Sequence, residues 1–193
     1  VKEEKPLIHC ITNHISINDC ANAVLAVGAK PIMAEHPAEV SEITASSKAL
    51  AINLGNINDT RMKSILLSGK TAFENNIPAI IDIVGVACSS LRLDFTNKFI
   101  SECHPKVIKG NLSELKALCG IKSHAKGIDA GEKDAVTDDN LLATIAMLKS
   151  LSLKTGAVVA ATGVVDIVTD GTATYINKNG CEMLSMITGT GCM

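Results

Sequence analysis

Short apolar runs that close on Asn, Asp, Lys or Gly alternate with stretches of helical spacing along this chain. That alternation constrains the fold more than any other feature. Pro6 to Thr12, Pro31 to Met33, Ala49 to Leu54, Pro78 to Val84 and Lys106 to Lys109 read as strands. Ile15 to Val27, Pro37 to Ser46, Asp59 to Glu74 and Ser90 to Glu102 read as the helices between them. In the third, Met62, Ile65, Leu66 and Ala72 fall near helical spacing. Leu112 to Cys119 and Asn140 to Leu153 are two further predicted helices, separated by a polar, Gly-rich stretch from Gly120 to Asp139 that reads as one long loop near a site. Strands alternating with helices bury a parallel sheet between helical layers. Toward the carboxyl end the rhythm changes. Ala157 to Ala161, Val164 to Thr169 and Thr172 to Ile176 follow closely, punctuated by Gly163 and Asp170-Gly171, which predicts an antiparallel edge. The expected class is α/β, a three-layer α/β/α sandwich with a mostly parallel sheet. At 193 residues and 47% hydrophobic, residues 1–193 are expected to form a single domain with a sizeable core.

Composition removes several functions. The net charge is −2, the pI about 6.2, and Lys and Arg do not cluster. With no Trp, one Tyr and three Phe there are no stacking platforms for single-stranded nucleic acid, so nucleic-acid binding is not expected. Seven cysteines without CxxC spacing argue against a disulfide framework or a zinc ribbon. Cys10, Cys20, Cys88, Cys103, Cys119 and Cys181 read mostly as small buried hydrophobes. No signal peptide and no apolar stretch of about 20 residues is present, which predicts a cytoplasmic protein that does not engage a membrane.

In open α/β sheets ligands sit beyond the carboxyl ends of the strands, and polar groups gather there in this chain. Asn13 and His14 follow the first strand, Met33 ends the second, and Asn53, Gly55 and Asn56 follow the third. Asp82 and Gly85 close the fourth, Lys109-Gly110-Asn111 the fifth, and Thr162-Gly163 the sixth. Asp82 is costly to bury without a partner, and a hydrated Mg²⁺ would supply one; capping the following helix is the competing role. Lys109, Asn111 and Glu114 form a compact trio of a cation suited to phosphate, an amide and a carboxylate. Glu114 also lies three residues after Asn111, the spacing of a capping box.

The segment Ile187-Thr188-Gly189-Thr190-Gly191-Cys192 carries the most chemistry. Alternating glycines let several backbone N–H groups converge on an anion, and such a nest normally opens a helix whose dipole favours phosphate. Only Met193 follows it, so the fold is expected to be incomplete at its carboxyl end.

Together, Ile11-Thr12-Asn13-His14 with Ala21-Asn22, Gly28-Ala29-Lys30-Pro31-Ile32-Met33, Asn53-Leu54-Gly55-Asn56, Lys109-Gly110-Asn111-Leu112-Ser113-Glu114, Ala161-Thr162-Gly163 with Asp166, and Thr188-Gly189-Thr190-Gly191-Cys192 resemble the ordered motifs of hydroxyethylthiazole kinase. That thiamine-salvage family belongs to the ribokinase-like superfamily, and the resemblance covers nearly the whole chain. It implies ATP-dependent phosphorylation of the hydroxyl of 4-methyl-5-(2-hydroxyethyl)thiazole with Mg²⁺, in a homotrimer with sites at subunit interfaces. On this resemblance Met33 contacts the thiazole through its backbone, with Asn13 and Gly189 on the substrate side. Lys109, Asn111, Thr162 and Thr188 fall on the ATP side, and Asp82 and Glu114 at Mg²⁺. Gly189, Gly191 and Cys192 form the catalytic anion hole. Related sugar and vitamin kinases carry an Asp base at the position of Cys192; a thiol there implies that positioning and charge stabilisation outweigh proton removal.

The chain departs from the family pattern in one loop. Asp82-Ile83-Val84-Gly85-Val86-Ala87 lacks the Pro and the second Gly of the family's Asp-Pro-Val-Gly-x-Gly stretch. Two other readings compete with the kinase. One is an incomplete or degenerate relative that binds ligand or assembles without turnover. The other is a different superfamily member, such as a hydroxymethylpyrimidine kinase or a nucleotide-dependent dehydratase, which would lack the ITN block.

Overall fold

The computed structural model describes residues 1–121, 136–137 and 139–192, so most of the predicted long loop lies outside the described residues. Among the described residues, eight strands form one sheet: β1 (Leu7–Ile11), β2 (Lys30–Ile32), β3 (Ala49–Asn53), β4 (Ala79–Asp82), β5 (Val107–Asn111), β6 (Val158–Thr162), β7 (Asp166–Thr169) and β8 (Thr174–Asn177). Their spatial order is β2-β1-β3-β4-β5-β6-β7-β8. The pairings through β6 are parallel, while β6–β7 and β7–β8 are antiparallel, as the closely spaced final strands predict. The helices are α1 (Ile17–Ala26), α2 (Val40–Ser46), α3 (Asp59–Glu74), α4 (Ser90–Cys103), α5 (Leu112–Leu118) and α6 (Leu141–Thr155).

Successive strand residues point to opposite faces, and this sorts the layers. Leu50, Ile52, Ile81, Ile108, Val159 and Ile167 join Ile65, Phe99, Leu115 and Leu148 of the helices in the main core. Each fully buried aliphatic side chain there contributes about 1.5–3 kcal/mol. His9 shares that face: its Nε2 donates to the Ala34 carbonyl at 2.8 Å, and its Nδ1 accepts from Thr44 Oγ1 of α2, also at 2.8 Å. Cys10, Ala51, Ile80 and Lys109 belong to the opposite face, where Ala23 and Val24 of α1 and its C-cap Val27 pack over a shared cavity. The sheet thus separates α1 from α2–α6. Among the described residues, no helix is long and apolar enough to cross a membrane.

Several boundaries differ from the sequence reading for local reasons. α1 begins at Ile17 rather than Ile15 because Asn13 Oδ1 accepts the N–H groups of Ile15 and Ser16, each at 3.0 Å, and holds that segment in a turn. α2 begins at Val40 rather than Pro37, after a turn in which the His36 carbonyl accepts from Glu39 and Val40. β5 runs to Asn111, beyond the expected Lys109, because Gly110 and Asn111 pair with Ala161 and Thr162. A short 3-10 segment, Glu182–Met186, was not foreseen. Cys88 and Cys181 are exposed, against their reading as buried hydrophobes; Cys10, Cys20 and Cys103 are buried, and Cys119 is partly so.

Two predictions follow from this packing. A Cβ at Gly69 of α3 would lie 2.4 Å from Phe99 Cε2 and 2.7 Å from Cys103 Sγ of α4. Overpacking of this kind costs about 1–3 kcal/mol, more than the helix-propensity gain of up to about 1 kcal/mol. Gly69→Ala should therefore lower the denaturant midpoint, and an unchanged or raised midpoint would refute the tight α3–α4 contact. The second concerns His9, whose burial lowers its pKa from 6.5. Its neutral form contributes stability that is present above pH 6.5 and lost as pH falls through the lower folded value. Subtracting the stability of a His9→Gln variant from that of the parent, pH by pH, should give a difference that shrinks on acidification.

Candidate active site at the carboxyl edge of the sheet

Where a parallel sheet ends, its last carbonyls lose their ladder partners and must find donors elsewhere. Two arginines supply them, and both stand three residues after a helix N-cap. The Asn58 side chain caps α3 by accepting from the Arg61 N–H at 2.9 Å. The Ser89 side chain caps α4 by accepting from the Arg92 N–H at 3.4 Å. From there Arg61 reaches back to donate to the carbonyls of Thr12, Gly55 and Asn56, and Arg92 to those of Leu54 and Val84. Arg61 is 1% exposed, and its Nε lies 3.4 Å from Glu35 Oε2. The two guanidinium forks tie together the loops that follow β1, β3 and β4.

Above this rim the polar side chains form a closed hydrogen-bonded circuit. Asp82, 6% exposed at the end of β4, accepts through Oδ2 from Asn53 Nδ2 at 3.0 Å and from Lys109 Nζ at 2.9 Å. Asn53 Oδ1 accepts from Asn13 Nδ2 at 3.1 Å and from the Gly55 N–H at 2.8 Å. Asn13 Nδ2 also lies 3.2 Å from Cys192 Sγ, and Lys109 Nζ donates to the Gly191 carbonyl. The circuit therefore runs from Cys192 through Asn13, Asn53, Asp82 and Lys109 back to Gly191. Only glycine fits at position 55, where a Cβ would sit 2.7 Å from Asn13 Cβ and 2.9 Å from Asn53 Oδ1. Gly189, at φ +90°, turns the carboxyl-terminal segment into place, and the Cys192 N–H donates back to the Gly189 carbonyl at 2.9 Å. Burial pushes the Asp82 carboxyl up from its ordinary value, opposed by the Lys109 ammonium and by the Asn53 amide.

Asp82 is thus not the cap of α4; Ser89 is. Glu114 realises the capping box with Asn111, whose side chain accepts the Glu114 N–H at 3.0 Å while Glu114 Oε2 accepts the Asn111 N–H at 2.8 Å. Its other oxygen, Oε1, accepts the Gly85 N–H at 2.8 Å. Both carboxylate oxygens are therefore already held by the backbone. Burial raises the Glu114 pKa to about 7, with those two N–H donors opposing.

Of the residues expected from sequence, Asn13, Asp82, Lys109, Gly191 and Cys192 come together in the circuit, and Asn111 and Glu114 stand immediately behind it. Thr162 pairs across β5–β6 with Asn111 and reaches the Gly110 carbonyl at 3.5 Å. Met33 follows the end of β2 and Thr188 lies exposed in the final turn; among the described contacts, none joins either to the circuit. A cavity of about 290 Å³ under the circuit has an apolar wall including Ala23, Val24, Ala51 and Ile80 and a polar end of Asn53, Asp82, Lys109 and Cys192. Among the described residues, no three His, Cys, Asp or Glu side chains are grouped to cage a metal. Mg²⁺ usually needs only one or two carboxylates besides waters and substrate phosphates, a requirement Asp82 fits. Sequence reading places Asn53 at the ligand edge without a specific role and assigns none to Arg61 or Arg92. The available signal was a cap residue followed at the third position by Arg, a short loop after a strand, in Asn58 to Arg61 and again in Ser89 to Arg92.

The open α/β sheet, with an acid, an ammonium, amides and a Gly-rich turn gathered at its carboxyl edge, has a ribokinase-like fold. A ribokinase-like superfamily protein from Enterococcus faecalis shares it at a TM-score of 0.61 and 10% identity, over 98% of this chain and 68% of that one. The sequence profile of the hydroxyethylthiazole kinase family matches residues 1–193, and the chain belongs to that family. It is 70% identical over its whole length to hydroxyethylthiazole kinase 2 of Clostridium botulinum, spanning 73% of that relative. It is 46% identical to hydroxyethylthiazole kinase of Ruminiclostridium cellulolyticum, spanning 69% of it. The hydroxyethylthiazole kinase structure from Pyrococcus horikoshii superposes at a TM-score of 0.84 and 31% identity, over 99% of this chain and 68% of that one. The protein is a kinase, a phosphotransferase.

Because the folded pKa of Glu114 lies above its unfolded value of 4.5, its contribution to stability is complete below pH 4.5 and is lost as pH rises through about 7. Glu114→Gln should flatten that fall in a series of denaturation curves from pH 4.5 to 8; an unaltered slope would exclude Glu114 as its source.

Proposed function

We propose that this chain transfers the γ-phosphoryl group of ATP to the primary alcohol of 4-methyl-5-(2-hydroxyethyl)thiazole, the family's reaction in thiamine salvage, at the carboxyl edge of its sheet. The observation that carries this placement is the circuit joining Asn13 and Cys192 to Asp82 and Lys109. Phosphoryl transfer through a loose transition state needs little covalent help from the protein; it needs positioning and charge stabilisation. Lys109 meets the phosphates, with Asn111, Thr162 and Thr188 on the nucleotide side. Met33, Asn13 and Gly189 flank the thiazole. The turn from Gly189 through Gly191 to Cys192 presents backbone N–H groups to the transferring group, a contribution of a few kcal/mol when compared with oxyanion-hole donors. Asp82, with Glu114 behind it, would hold Mg²⁺, which would supply charge neutralisation to the phosphates.

The same reading makes residues 1–193 one kinase domain of a cytoplasmic homotrimer with sites at its subunit interfaces. Tyr175, Ile176, Met183, Leu184, Met186 and Ile187 form an exposed apolar run suited to such contacts. A second reading, ligand binding without turnover, draws on the Gly191 carbonyl, which takes one of the three N–H donors of the ammonium that the phosphates need.

Incubation with Mg-ATP and hydroxyethylthiazole, alongside the Clostridium botulinum relative, should yield the phosphorylated thiazole from both. Product from the relative alone would favour the binding reading. Cys192→Ala should lower kcat by less than about 100-fold, the low end of what a general base supplies, with the fold intact. An unchanged rate would take Cys192 out of the reaction, and a far larger loss would make its thiol the base.

A further inference from the structure

Asn53 touches both halves of the circuit, and its orientation admits no alternative. Its Oδ1 must face the Gly55 N–H, 2.8 Å away, so its Nδ2 must face Asp82 Oδ2 at 3.0 Å. Asn13 is fixed in the same manner, because Oδ1 accepts from the N–H groups of Ile15 and Ser16 and Nδ2 is left to serve Asn53 and Cys192. Two amides locked by backbone donors therefore hand hydrogen bonds in one direction, from the loop after β1 toward the acid at the end of β4. Every group in this relay is buried apart from Cys192, which is partly so. A buried network of this kind is rigid when every member is satisfied.

We propose that Asn53 is a positioning residue for the kinase reaction, fixing the Asp82 carboxylate on the phosphate side relative to Asn13 and Cys192 on the alcohol side. The inference rests on the phosphoryl-transfer reading for its consequence and on the hydrogen bonds alone for its geometry. Loss of Asn53 leaves Asp82 still paired with Lys109, and Asn13 still beside Cys192, so each side keeps a partner of its own.

Asn53→Ala removes the relay, whereas Asn53→Asp keeps size and acceptor but sets a carboxylate oxygen against Asp82. At pH 8 both should lower kcat on the order of 10- to 100-fold, the scale of a small misplacement of reacting groups, with KM for the thiazole changed by less than about threefold. Loss confined to KM, or an Asn53→Asp variant as fast as the parent, would overturn the proposal. A second measurement needs no turnover: Asp82→Asn should shift the side-chain amide resonances of Asn13, which does not touch Asp82, and that shift should vanish in an Asn53→Ala background. Unmoved Asn13 resonances, or the same shift in both backgrounds, would overturn the coupling. If the parent chain forms no phosphorylated thiazole, the kinase reading fails, while the resonances still decide whether Asn53 couples the two sides.

Discussion

A carboxylate buried at the end of an apolar strand is the constraint around which the rest of this site is arranged. Taking Asp82 out of water is expensive unless opposite charge and donors replace the lost hydration. Lys109 on the neighbouring strand supplies the charge, and the β4–β5 register sets the two side by side. Asn53, opposite Asp82 in the β3–β4 register, supplies the donor from the other flank. Three adjacent strand ends thus solve one electrostatic problem together. The parallel register is what makes an acid, an amide and an ammonium neighbours although they are far apart in sequence.

The geometry behind that row is held by charge of a different kind. Arg61 and Arg92 satisfy the loose carbonyls where the strands stop, and Glu114 collects the N–H groups of Gly85 and Asn111. Donors from helices meet the carbonyls just past the strand ends on one side, and an acceptor from a helix meets the N–H groups of Gly85 and Asn111 on the other. The loop that lacks the expected Pro and second Gly, Asp82 to Ala87, is pinned by both devices: Arg92 on the Val84 carbonyl and Glu114 on the Gly85 N–H. Fixing that loop by side chains substitutes for the rigidity a proline would have provided.

Much of this was readable in the sequence, and the failures have two causes. Strand-and-helix alternation is a local signal, so the parallel sheet, its antiparallel edge at β7 and β8, and the gathering of Asn13, Asp82 and Lys109 at one edge all came from local pattern. The capping box at Asn111 was legible because its two partners are three residues apart. What escaped depends on contacts between distant segments. Arg61 serving Thr12, or Asn53 linking Asn13 to Asp82, leaves no periodicity. The helix starts slipped for a separate, local reason, since Asn13 captured N–H groups two and three residues on that the pattern alone would assign to α1.

Lys109 already has two internal acceptors, Asp82 and the Gly191 carbonyl. An ammonium has three N–H donors, so one oxygen of an arriving anion adds at the third, while an anion that takes a second donor displaces a piece of the protein instead of bulk solvent. The enthalpy of that second contact is largely offset by the one given up. The released carbonyl belongs to the Gly-rich turn itself, so occupancy of that second donor and the shape of the turn are two readings of a single equilibrium.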